Sequence, residues 1–207
     1  MKNNILPILL IGVGMGYCTA AAADPSGSSS SASINLGGDV ANTCFIANPP
    51  TKSTDSGATW TTTLGANNSS VNISGFVNPE TARMVTGVNT ITLKFPKVYC
   101  NFAHAIGVMA ANSGLVNTAQ PQSGSENLFI NTIHYSLTAR LNNNNGSASI
   151  LTNGDANLSA SQNVNHAHHG SMDVEILIDS ANQGDLTRPL LAGTFSDVAT
   201  VKLGPQP

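Results

Sequence analysis

The chain has 207 residues, of which only 9% are charged, 8 basic against 11 acidic, for a formal net charge of −3. That balance leaves no cluster of Lys and Arg to neutralise phosphates, which excludes a nucleic-acid-binding face. Asn, Ser, Thr and Gly fill the spaces between apolar residues, as suits an extracellular β protein whose outer faces are wetted by hydroxyls and amides.

Met1-Lys2 precede an apolar run from Ile5 to Met15, and Ala20 to Ala23 lead into Asp24. One positive charge, a short apolar core and small residues at an A-x-A site read as a secretory signal peptide over residues 1–23. The run is too short to span a bilayer. A lipid anchor on Cys18 is the alternative, and the bulky Tyr17 before it argues against it. Removal of the signal leaves Cys44 and Cys100, which in an exported chain most simply form one disulfide; two unpaired buried thiols are the other reading. Such a bridge is worth about 4 kcal/mol in the loop-entropy model.

Residues 24–33 are Ser-rich and of low complexity, so residues 24–36 read as a flexible N-terminal extension and residues 37–207 as one domain. Order is expected from Ile34 and Leu36 through Val40 to Cys44-Phe45-Ile46. Residues 47–57, with two prolines and several turn formers, read as a loop. Trp60, Leu64, Val71 and Ile73 outline a hairpin turned at residues 65–68. Ile91, Leu93 and Phe95 alternate until Pro96, which predicts an edge or a bulge there, since proline cannot donate to a ladder. Ile106, Val108 and Ala110 continue in a further strand.

The strongest pattern runs from Leu128 to Leu141. Phe129, Ile133, Tyr135, Leu137, Ala139 and Leu141 alternate with Thr132, His134, Ser136, Thr138 and Arg140. Successive strand side chains point to opposite faces, so this predicts one long strand with an apolar and a wet face, and Ile130 and Asn131 are its misfits. Residues 142–146, NNNNG, read as a turn and residues 154–170 as a long loop. Met172, Val174, Ile176 and Ile178 alternate in another strand. Phe195, Ala199, Val201 and Leu203 share a face in the last one, with Asp197 out of place. Strands separated by Gly, Asn and Pro turns, without a helical period, predict an all-β antiparallel sandwich.

Few constellations carry chemistry. His166, His168 and His169 are the only candidate metal cluster, with His166 and His168 on one side of an extended segment, but a site needs a third ligand held in place, so a solvated loop is expected. His104 and His134 read as structural. Asp173, Glu175 and Asp179 offer fewer oxygens than calcium requires. Trp60 and Tyr99 could make a sugar platform, although a lone Trp is more often core. No nucleophile elbow, zinc-protease motif or phosphate loop is present, so neither an enzyme nor a cofactor is expected.

Two stretches resemble a known family. Gly38-Asp39-Val40-Ala41-Asn42-Thr43-Cys44 resembles the first strand of chaperone–usher pilins, and residues 192–201, AGTFSDVATV, resemble their last strand, closest to the spore coat protein U-like branch. Val98-Tyr99-Cys100 places the second cysteine at a strand end, as in that family. The resemblance implies an immunoglobulin-like sandwich lacking its final strand, with a groove along its core. A periplasmic chaperone would fill that groove first, and at the outer-membrane usher the N-terminal extension of the next subunit would replace it. Ala32, Ile34 and Leu36 are the only residues of the extension able to act as pocket fillers. Phe195, Ala199, Val201 and Leu203 would form the edge of the groove. The implied product is a structural subunit of a cell-surface fimbria contributing to adhesion or biofilm formation, its partners being neighbouring pilins and possible host or surface ligands. The competing expectation is a self-contained secreted sandwich that binds a glycan or another surface ligand.

Overall fold

The computed structural model describes residues 37–47, 49–65, 69–112, 114–117, 128–142 and 146–206. Contacts divide the chain into Met1–Asp39, of which residues 37–39 are described, and Val40–Pro207, to which the strands below belong. The expected signal peptide and the extension with Ala32, Ile34 and Leu36 lie outside the described residues.

The strands are β1 Cys44–Ile46, β2 Thr51–Ser56, β3 Thr59–Leu64, β4 Ser69–Ser74, β5 Val88–Cys100, β6 His104–Ala110, β7 Leu115–Asn117, β8 Thr132–Ile133, β9 Ser136–Leu141, β10 Ser147–Leu151, β11 Leu158–Val164, β12 His168–Asp179, β13 Phe195–Ser196 and β14 Ala199–Pro205. A six-stranded sheet runs β1-β5-β12-β9-β10, with β2 also on β5. A three-stranded sheet runs β11-β6-β14, a second runs β13-β7-β8, and β3 and β4 form the expected hairpin. Every strand pair is antiparallel. The protein is thus an all-β sandwich with one disulfide, Cys44–Cys100, formed at the position where those residues face each other across β1 and β5.

The core follows from period-2 patterning carried across several strands. Ile91, Ile176 and Leu137 stand in one row across β5, β12 and β9, and Leu93, Val174 and Ala139 in another. All but the half-buried Ile176 are buried. Ile106, Val108 and Ala110 of β6 and Val164 of β11 belong to the same buried cluster, so the β11-β6-β14 sheet is the layer that covers the apolar face. Burying each such aliphatic side chain contributes roughly 1.5–3 kcal/mol before ordering costs.

Several elements differ from expectation. The 128–141 stretch is not one strand. β8 pairs with β7 while β9 lies between β12 and β10, and the chain passes from one sheet to the other at His134-Tyr135. The Gln183 side chain fills the gap like a strand partner, accepting from His134 N at 2.9 Å and donating to His134 O at 2.7 Å. Ile130, the misfit, is buried and bridges to Leu190, so the alternation slips phase before Thr132. Within the expected 47–57 loop, β2 pairs with β5 although all six of its side chains are exposed. Within the expected 154–170 loop, β11 pairs with β6 along its whole length. Both are edge strands ordered by backbone pairing, which leaves no hydrophobic period to read. Pro96 sits inside β5, which is internal to its sheet. It falls between the stretches paired with β2 and β1, and β12 is bulged opposite it, between Gly170 and Met172.

Candidate functional site

The two long sides of the sandwich are closed differently. On one side β10 and β11 meet: Ser147 N donates to Gln162 Oε1 at 2.6 Å. Gly146, at φ +156°, lets the chain pass so close that a β-carbon there would lie 2.6 Å from Val164 Cγ2. On the other side β1 pairs only with β5, and β14 only with β6. Among the described residues no hydrogen bond joins β1 to β14. Each therefore presents one row of backbone donors and acceptors that no other described strand takes up.

An open cleft of about 650 Å³ lies there, lined by all of β1 and by Val201 to Pro205 of β14. Ala105 and Gly107 of β6 and Ser161 of β11 complete its wall. It runs along the edge of β14 and onto the outer face of the β11-β6-β14 sheet, where Ser161, Gly107 and Lys202 stand in one row. Val201 and Leu203 stand opposite Val108 and Ile106, which point into the core, whereas Lys202 and Gly204 stand opposite Gly107 and Ala105. Lys202 is the only charged residue among those lining it, so the cleft suits an uncharged, largely apolar occupant.

A half-buried bond fixes where β14 begins. Tyr135 Oη donates to Asp197 Oδ2 at 2.8 Å, while Asp197 Oδ1 accepts from Asn112 N at 2.8 Å and Val198 N at 2.6 Å. Burial, and then the bond to the Asp197 carboxylate, push the Tyr135 hydroxyl far above the ordinary tyrosine range. This bond corrects the expectation for the last strand. Asp197 lies in the break between β13 and β14 instead of sitting out of phase in one strand. Val201 and Leu203 are among the residues that line the cleft. Ala199 is exposed and not among the lining residues, and Phe195 sits in β13 against Asn117 of β7. Phe45, Ile46, Ala105 and Gly107 were not foreseen, because only the sheet topology brings β1 and β6 beside β14.

Other candidate residues are dispersed. His166 and His169 are exposed while His168 is buried, so the three do not form one solvated loop. Among the described residues no group of three or more His, Cys, Asp and Glu is placed to hold a metal ion. Asp173 stands between Lys94 and Arg140 on the outer face, and Asp179 accepts from Ala181 N at 2.9 Å, capping a short 3-10 turn. Trp60 is core, its indole donating to Ser56 O at 3.1 Å. Tyr99 pairs instead with Phe45, the rings stacked at 5.4 Å and both partly exposed.

Comparison of the chain with protein-family models, with curated proteins and with solved structures finds no match. Among the described residues no helix is long and apolar enough to cross a membrane, and the disulfide is compatible with an exported protein.

Proposed function

We propose that the chain is a structural subunit of a bacterial surface fimbria, an immunoglobulin-like sandwich whose missing strand is supplied by another chain. One observation carries this reading: the edges of β1 and β14, unpaired among the described residues, flank a largely apolar cleft, while the opposite side of the sandwich is closed. A strand laid into the cleft would take up both rows of backbone groups and set alternate side chains against Ile46, Val201 and Leu203. The same edge, left open, would pair with any exposed strand, which supports an escorting chaperone before delivery to an usher and a neighbouring subunit. Ala32, Ile34 and Leu36, at alternate positions in the sequence, would share one side of a strand laid into the cleft and are the donor side chains in this reading.

The test uses the full chain. Unmodified protein should form strand-exchanged oligomers. A variant with Ile34→Ser and Leu36→Ser should accept a donor but fail to provide one, so oligomers shorten as its share rises. Oligomers of unchanged length built from that variant would refute the donor assignment. The second reading, a self-contained secreted glycan binder, draws on the exposed Phe45–Tyr99 stack. It predicts a stable monomer whose glycan binding is lost with Tyr99→Ala.

A further inference from the structure

Lys202 stands on the outer face of β14, between Val201 and Leu203, which pack against the core. It is exposed and makes no ion pair among the described residues. Its cross-strand neighbour on β6 is Gly107, which has no side chain, and Ser161 of β11 follows in the same row. A β-carbon at Gly107 would meet nothing nearer than Ala160 O at 3.5 Å and Ser161 Cβ at 3.7 Å. The backbone thus has room for a side chain there, and the glycine leaves an open place beside Lys202. A depression of about 290 Å³ on this face shares Gly107, Ser161 and Lys202 with the cleft, and Lys202 is again the only charged residue lining it. The other cross-strand position beside Lys202 is on the open edge of β14, where an incoming strand would lie.

We propose that Lys202 sets the register of the incoming strand by reading the residue between its two large pocket fillers, favouring a hydrogen-bond acceptor there and rejecting a cation. For the extension of a second copy that residue is Asn35. The inference rests on the reading of the cleft as a strand acceptor and names what that strand must carry.

The register follows from strand alternation. Fillers set against Val201 and Leu203 are two residues apart in the incoming strand. The residue between them turns to the outer face, beside Lys202, whichever way that strand runs. Ile34 and Leu36 are the only large apolar side chains among residues 24–36, so Asn35 takes this place. An ammonium carries three donors and no acceptor, and the side-chain carbonyl of Asn35 can accept from one of them. The extension also suits a lone cation in charge: Asp24 is its only charged residue, and it holds no Lys or Arg. Opposite charges facing each other across two strands attract and like charges repel, so the residue beside Lys202 separates right from wrong occupants. A lysine on an open edge also discourages pairing with strands that carry one themselves, which guards the bare cleft.

The test measures binding of amidated peptides of residues 24–38 to the full chain carrying Ile34→Ser and Leu36→Ser, which keeps the cleft and lacks its own donor side chains. The peptide with Asn35→Lys should bind about fivefold more weakly than the unmodified one, and that with Asn35→Asp about twofold more tightly. Adding Lys202→Glu to the full chain should reverse the order of these two peptides. Ser33→Lys changes the next outward place and should weaken binding less than Asn35→Lys does. Equal binding of the three peptides at position 35, a larger loss with Ser33→Lys, or an order that Lys202→Glu leaves unchanged would overturn the register and leave the strand-acceptor reading standing. Failure of every peptide to bind would overturn both. Should the Lys202→Glu chain fold poorly, the four peptides on the unaltered Lys202 decide by themselves.

Discussion

Replacing Tyr135 with Phe removes one hydroxyl and nothing else, and the structure sets what that costs. The hydroxyl is one of three donors to the Asp197 carboxylate, and Tyr135 itself is 3% exposed. Hydrogen bonds to a charged group contribute about 1.5–3 kcal/mol, and the two backbone donors that remain place the loss at neutral pH toward the lower half of that range. A domain of this size loses roughly 2–4 °C in melting temperature per kcal/mol. The pH dependence gives a second and sharper signature. The folded Tyr135 hydroxyl titrates above its unfolded counterpart, so its contribution is fully present below about pH 10 and is lost as the pH rises beyond it, where the unfolded chain gives up the proton first. Thermal melts from neutral to strongly alkaline pH should show the unmodified chain losing stability faster than Tyr135→Phe, so that the two curves converge. Because Asp197 fixes the start of β14, hydrogen exchange at residues 199–203 should also rise in the variant. Parallel curves over the whole range, or unchanged exchange in β14, would refute the argument that this bond anchors the edge of the cleft.

Further substitutions probe other parts of the framework. Cys44→Ala should lower stability by about 2–5 kcal/mol by denaturant unfolding and reduce the exported yield, and free thiols in the native protein would remove the claim. Gln183→Ala should cost about 1–3 kcal/mol, because His134 N and O lose their partner where the chain changes sheets. Leu137→Ala, at a fully buried position, should cost about 2–5 kcal/mol. His166→Asn with His169→Asn should leave the melting temperature unchanged, since both side chains are exposed.

What could be read in the sequence is what one-sided burial imprints on it. β5, β6, β9 and β12 carry alternating apolar residues because each turns one face to the core, and the hairpin of β3 and β4 is marked by Trp60, Val71 and Ile73. The single disulfide was legible as the simplest pairing of Cys44 and Cys100 once residues 1–23 are read as a signal peptide. β2 and β11 were illegible because their order comes from backbone pairing at a sheet edge, where polar side chains serve equally well. The change of sheet at His134 was hidden by an alternation that runs straight through it, and the buried Gln183 that permits it lies 49 residues away. Asp197 was visible as a misfit, yet its meaning needed Tyr135, 62 residues earlier in the chain. His168 looked like one of three loop histidines until its register beside Cys100 turned it inward. The cleft has no sequence signature of its own, since Ile46 and Leu203 become neighbours only once both sheets are assembled.

The central claim is that the open edges of β1 and β14 receive a strand from another chain. Hydrogen–deuterium exchange with mass spectrometry on residues 44–46 and 199–205, comparing monomeric protein with its assembled oligomers, measures this directly. Assembly should slow exchange in both strands together while β5 and β12, already paired on both sides, change little. Oligomers in which neither edge gains protection would contradict the claim.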